Sequence, residues 1–286
     1  MSEFFSAVAE YPFLRYALAA GVLAGVTCGV VGTYVVSRRI VFVCGGIAHC
    51  VLGGMGVANY LSSVHGVPVT PMQGALVSAI LAALVIGAVS IRAQRQEDII
   101  IGALWAVGMA VGVLFISQTP GYNSDLMSYL FGNILMVRRS SMPVIGGLSF
   151  VVIATATLLY KRFQAVCFDS EFAWLRGLHV HAYYMLLLCL TALTVVVLVQ
   201  VVGLILVIAL LSLPAAIAGQ YARSLWQMMI AAALLGAAFT TVGLAASYGP
   251  DLPAGACIIV IAGLAYLLST VLRWAWFRLR HRPRPA

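Results

Sequence analysis

One imidazole stands where an ionisable group is costly to keep. His49 lies within a long apolar run, in the stretch Phe42 to Cys50, and it is the one His, Lys, Arg, Asp or Glu well inside any such run. An ionisable side chain at mid-bilayer costs about 2.5–3.5 kcal/mol on insertion scales, so a residue kept there calls for a functional account. At helical spacing Gly45, His49, Gly53 and Gly56 share one face. Such a stripe lets another helix approach closely, with an imidazole in the contact. Two chemistries fit this pattern. Neutral imidazole is a ligand for zinc, copper, iron or nickel, which makes His49 a metal ligand on a transport path. Alternatively, His49 is a polar residue hydrogen-bonded to a neighbouring helix.

The other titratable groups carry less. Cys44 and Cys50 flank His49 in sequence but lie off its face, and the six cysteines contain no C-x-x-C pair, so neither a zinc ribbon nor a dithiol redox site is indicated. His179 and His181, at i and i+2, do not share a helix face. His65 falls in an expected outer loop, and His281 in a basic tail. Glu97 and Asp98 begin an apolar run, where acids favour the helix N-terminus. No G-x-x-x-x-G-K-[ST], H-E-x-x-H or G-x-S-x-G pattern occurs, so an intrinsic P-loop ATPase, a zincin-type protease and a serine-elbow hydrolase have no supporting motif.

The elements that must hold His49 are set by composition. Of 286 residues, 63% are hydrophobic and 8% charged, against about 25% charged in soluble domains. So few charges cannot cover a water-soluble body of this size. The net charge of +8 is distributed in short clusters between apolar runs, a topology signal rather than a nucleic-acid surface. Runs long enough to cross a bilayer extend from about Phe13 to Val36, Ile40 to Leu61, Met72 to Ile91, Ile99 to Ser117, Pro143 to Tyr160, His181 to Val199, Val201 to Tyr221, Leu225 to Ala246 and Ala254 to Leu272. The N-terminal segment lacks a basic region and a cleavage site, so the first run is expected to be a permanent span. With the N-terminus outside and the C-terminus inside, thirteen of the sixteen Lys and Arg face the cytoplasm. The expected fold is therefore all-α: a polytopic bundle of about nine membrane helices forming one transmembrane domain over residues 1–286.

Two regions strain that layout. Tyr129 to Val137 is apolar but too short to cross, and only Gln200 separates the sixth and seventh runs. Pro214, inside the seventh run, is a candidate hinge or an ordinary kink. The 27 glycines read first as helix-packing positions. Between the fifth and sixth runs, about residues 163–179, acids, aromatics and a closing Gly177 suit a short amphipathic helix with Phe168, Phe172 and Leu175 on one side. It lies on the lipid surface or docks a cytoplasmic partner. The tail 273–286, with Trp274, Trp276 and several arginines, fits an interfacial anchor.

These segments, in this order, resemble the membrane permeases of bacterial ABC importers for zinc, manganese and iron. That family shows an Arg-Arg pair after the first span, here Arg38 and Arg39, then G-D-x-x-x-H, whose histidine matches His49. Its E-D-x-x-I-G is similar to Glu97 to Gly102, its Y-L-F-G-D-I-L to Tyr129 to Leu135, and its F-D-x-E-x-A-x-x-x-G to Phe168 to Gly177. Its G-x-L-L-V-x-A-L-L-x-x-P-A-x-x-A is similar to Gly203 to Ala218, and its S-Y-x-x-D-x-P-x-G to Ser247 to Gly255.

The resemblance implies a transport subunit of the bacterial inner membrane with no ATPase site of its own and no permanently bound cofactor. Its cargo would be a divalent metal ion bound at His49. Two permeases, identical or paralogous, would pair, two cytoplasmic ATPases would use ATP, and an extracytoplasmic binding protein would deliver metal. Phe168, Asp169, Glu171, Ala173 and Gly177 would lie in the coupling helix. Two positions depart from the pattern. The acid that helps bind metal four residues before the histidine is Gly45 here, and Asn133 replaces another acid. A site without an oxygen donor weakens the case for manganese. A secondary transporter and an ABC permease for a metal chelate such as haem or cobalamin are the alternatives.

Overall fold

A computed structural model describes residues 7–92, 97–120, 134, 137, 139–249 and 252–280. Within them the chain forms α1 (Pro12–Arg38), α2 (Val41–His65), α3 (Pro71–Arg92), α4 (Glu97–Ser117), α5 (Met142–Leu158), α6 (Tyr160–Phe168), α7 (Ser170–Leu175), α8 (Val180–Val202), α9 (Leu204–Tyr221), α10 (Leu225–Tyr248) and α11 (Ala254–Arg280). Eight helices are long and apolar enough to cross a membrane, and α9 contributes a shorter apolar helix, Leu206–Tyr221. Each expected run thus has its helix, the seventh as this shorter element. Most of the Tyr129 to Val137 segment and residues 281–286 of the tail lie outside the described residues.

Burial separates the helices into an inner and an outer set. In both α1 and α2, 72% of the apolar window is buried inside the protein, against 17% in α4 and α11. A helix hydrophobic all round but little buried must present its outer face to lipid or to another protein. The inner helices approach through small residues. A Cβ on Gly25 would lie 2.5 Å from the backbone of Gly236, and one on Gly29 would overlap the backbone of Ala232 and Ala233, so α1 and α10 are in main-chain contact. The packing role does not extend to every glycine: Gly102, Gly146, Gly147 and Gly263 have open space where a Cβ would stand. At its far end α1 is pinned by Tyr34, whose buried hydroxyl donates to the Ala156 carbonyl of α5 at 2.9 Å and whose ring meets Phe163 of α6 edge-on at 5.4 Å.

Several segment boundaries differ from the sequence reading, among them the end of α11, which runs past Leu272 to Arg280. α2 runs one turn past Leu61 to His65, which contacts Tyr60 edge-on at 5.7 Å. The break between the sixth and seventh runs falls at Gly203 rather than Gln200, with φ 79° and ψ 172°. That conformation is open essentially to glycine alone, because a Cβ would clash with the backbone there. Gly203→Ala is therefore expected to lower stability by about 1–3 kcal/mol, measured as a fall in Tm of the detergent-solubilised protein. Pro214 is not a helix break: α9 continues through it. The ring removes one main-chain donor, and Ser212 Oγ, two residues before it, donates to the Ile208 carbonyl at 2.7 Å.

Candidate functional site

His49 lies about 12 Å along α2 from Val41 at the usual rise per residue, and its side chain is 9% exposed. The face it shares with Gly45, Gly53 and Gly56 packs on α4. Cβ atoms on Gly53 and Gly56 would each come within 2.8 Å of the carbonyl oxygens of Gly108 and Gly112. The seam is thus a backbone-to-backbone contact along most of its length. One turn or more before Gly53 the Trp105 indole lies over Gly45 and stacks on the His49 ring, with centroids 4.4 Å apart and planes inclined by 22°. Phe42 meets the same indole at 5.7 Å. Among the described residues His49 Nδ1 is buried without a hydrogen-bond partner. A buried, unpaired ring nitrogen loses its hydration with nothing in return, and such an orphan calls for a water or an ion. The alternative of a histidine hydrogen-bonded through Nδ1 to the neighbouring helix does not occur in this conformation.

Trp105 is the residue that sequence reasoning missed. Its signal was present: Ile101, Trp105, Gly108 and Gly112 recur at helical spacing on α4, placing a large aromatic ring on the same face as two glycines. Which helix that face would meet was not readable. Cys50 turns from His49 towards α4, its thiol 3.5 Å from the Leu104 carbonyl, and Cys44 is buried beside its own helix, the thiol facing the Ile40 carbonyl. No three His, Cys, Asp or Glu side chains among the described residues gather into a metal cage.

At the end of the bundle where α1 stops and α2 starts, the Arg pair and the acid of the fourth run converge. Arg38, Arg39, Ser90, Asp98 and Tyr184 line a polar cavity of about 290 Å³, and the hydroxyls of Ser90 and Tyr184 are 3.0 Å apart. Arg39 closes α1 in the left-handed region at φ 62°, its N–H reaching back to the carbonyls of Val35 and Val36. The guanidinium of Arg162 stands over the Tyr183 ring and donates to its hydroxyl at 2.7 Å. Nearby, burial pushes the Cys167 thiol up to about 11, with the Arg38 charge opposing the shift. That thiol therefore stays protonated and inert at neutral pH.

The 163–179 segment is two helices rather than one. Phe168 ends α6, and Asp169 breaks the chain direction and caps α7, its Oδ1 accepting from the Phe172 N–H at 2.8 Å. Gly177, at φ 78°, ends the unit, and Leu178 donates back to the Ala173 carbonyl at 3.1 Å. Ala173 is buried and anchors α7, whereas Phe168, Phe172, Trp174 and Leu175 are exposed. Beside them Ser170, Glu171, Trp174, Leu175, Val180 and His181 line a cavity of about 490 Å³. His179 and His181 are both exposed and stay apart from the His49 seam. Asn133, Gly132 and Asp251 lie outside the described residues.

Comparison with known proteins places this geometry. The chain is 45% identical over 264 residues to an uncharacterized membrane protein of Synechocystis, covering 92% of each. It is 32% identical over 269 residues to the manganese transport system membrane protein MntC of Halalkalibacterium halodurans, covering 94% of this chain and 90% of that protein. Among solved structures it superposes on a chain of PsaBC from Streptococcus pneumoniae in complex with Fab, with a TM-score of 0.84, 30% identity and 94% of each chain covered. The family model described as the ABC 3 transport family matches residues 10–273. The polytopic helical bundle, the relatives matched over nine-tenths of the sequence and this nearly full-length family match together establish that the chain belongs to the ABC 3 transport family, as a multi-pass inner-membrane transport subunit and not an enzyme.

Proposed function

We propose that the chain is the permease of an importer for a divalent transition metal, zinc, manganese or iron, working by alternating access, and that His49 is a ligand on the path. The observation that carries this is the buried imidazole with an unpartnered Nδ1, set in a seam of glycines between α2 and α4. Importers must release what they bind, so a site with few ligands suits transit better than storage. Energy comes from separate ATPase subunits on the cytoplasmic side, and an extracytoplasmic binding protein presents the metal to a pair of permeases. The N-out, C-in orientation is supported by the basic residues. Arg38, Arg39 and Arg162 gather at the end of the bundle that carries α6 and α7, as a cytoplasmic face requires.

The α7 unit suits a coupling element. Its buried Ala173 fixes it to the bundle, while its exposed Phe172, Trp174 and Leu175 need a cover that water does not supply. The test is purification with co-expressed neighbours. The ATPase is expected to co-purify and to be released by Trp174→Ala, since an aromatic anchor contributes about 2 kcal/mol or more, roughly 30-fold in affinity. Glu171→Lys should weaken the complex as well while leaving the Asp169 cap in place. A chain that purifies alone under mild detergent and moves metal through liposomes without ATP would be a secondary transporter.

A further inference from the structure

The α2–α4 seam brings main chains together at Gly53 with Gly108 and at Gly56 with Gly112, and at the layer of His49 a large indole intervenes instead. A Cβ on Gly45 would stand 2.5 Å from Cζ3 of Trp105 and 3.0 Å from Cη2. The indole and any side chain at position 45 therefore compete for one space. Lying flat on the imidazole, the indole covers one ring face. Metals take imidazole through a nitrogen lone pair in the ring plane, so stacking leaves ligation open while keeping water off that side.

The helices around the ring supply no anionic oxygen. Among the membrane helices only α4 contains carboxylates, at its first two residues, Glu97 and Asp98. Asp98 is about 10 Å of helix rise from Trp105 and lines the polar cavity beside Arg38 and Arg39 instead. Manganese prefers carboxylate, carbonyl and water ligands and is the weakest binder of the first-row divalent series; imidazole suits zinc and its neighbours. An ion that prefers oxygen donors would give up water ligands against an indole face here, with no carboxylate to replace them.

We propose that Trp105, seated in the space left free by Gly45, is the specificity-determining residue of the His49 site and makes it a nitrogen-donor site that takes a zinc-class divalent ion in preference to manganese. The proposal rests on His49 being a cargo ligand. Gly45 stands where the resembled permeases carry an acid, and Trp105 occupies the space that a side chain there would need.

The test is equilibrium binding of zinc and of manganese, each as the simple salt, to the purified full-length chain in detergent. Wild-type protein is expected to half-saturate with zinc at a lower concentration than with manganese. The exchange Gly45→Asp with Trp105→Ala moves a carboxylate into the vacated space and should shift the ratio towards manganese by about tenfold or more. Trp105→Phe keeps an aromatic cover and should retain the wild-type ratio, which separates a change of donors from a general loosening of the fold. A second readout uses a chain in which Trp105 is the one tryptophan, the other four being phenylalanine. Zinc should perturb its emission, and His49→Ala should abolish the response. An unchanged ratio in the exchanged variant, or wild-type preference for manganese, overturns the specificity proposal while leaving His49 a ligand. Saturable zinc binding that survives His49→Ala overturns the ligand reading itself.

Discussion

His49→Ala is expected to reduce metal uptake by about 100-fold or more, with the protein still inserted and folded. Loss of an outer partner of a metal ligand alone costs about 10- to 100-fold, so loss of the ligand itself should exceed that. The stability terms nearly cancel. The ring contributes a stack with Trp105, worth about 0.5–1.5 kcal/mol for an aromatic pair, and removing it opens a small void. Against this, the unpartnered Nδ1 carries a burial penalty of about 1–3 kcal/mol that disappears with the ring. The measurement is radiometal uptake into cells expressing the chain with its partner subunits, normalised to membrane-inserted protein. Uptake within twofold of wild type at equal protein would remove His49 from the path.

Gly29→Val is expected to have the largest effect on the fold and none directly on metal chemistry. At this position α1 meets the main chain of α10, and even the first carbon of a side chain would overlap the backbone of Ala232 and Ala233. Over-packing a core costs about 1–3 kcal/mol where neighbouring side chains can rotate away. Backbone cannot rotate away, so the two helices must separate, and a cost of about 3 kcal/mol or more is expected. Membrane helices have no hydrophobic force holding them together that would offset lost close packing. The yield of monodisperse protein and its Tm in detergent should both fall. Gly263→Ala provides the control, because nothing stands within 4 Å of its would-be Cβ; its stability should be unchanged. Equal behaviour of the two variants would rule out main-chain contact between α1 and α10.

Most of the architecture followed from hydropathy alone. Lipid accepts only segments that satisfy their own backbone hydrogen bonds, so length and apolar content specify a membrane helix without knowledge of its neighbours. The helices therefore appear where the apolar runs stand, and the motifs from Arg38 to Gly255 that resemble the permeases were readable as linear text. The position of His49 on a glycine face also followed from periodicity, since side chains four residues apart lie on one side of any helix.

The linear sequence did not determine what each face meets. Glycines at packed and at open positions look identical in sequence, yet Gly29 lies on another backbone and Gly263 faces empty space. Gly45 read as a missing ligand, whereas the fold makes it the seat of Trp105, a residue 60 positions further along the chain. The 163–179 segment split at Asp169 because a side-chain cap there outweighed continuation of the α6 helix. The turn fell at Gly203 because it is the glycine at the junction of the sixth and seventh runs, and its backbone angles are closed to residues with a Cβ. Local sequence thus determined which segments are helical and which face of each is small. Which helices pair, and hence what surrounds His49, was decided by long-range packing, in which two faces must fit each other rather than the solvent.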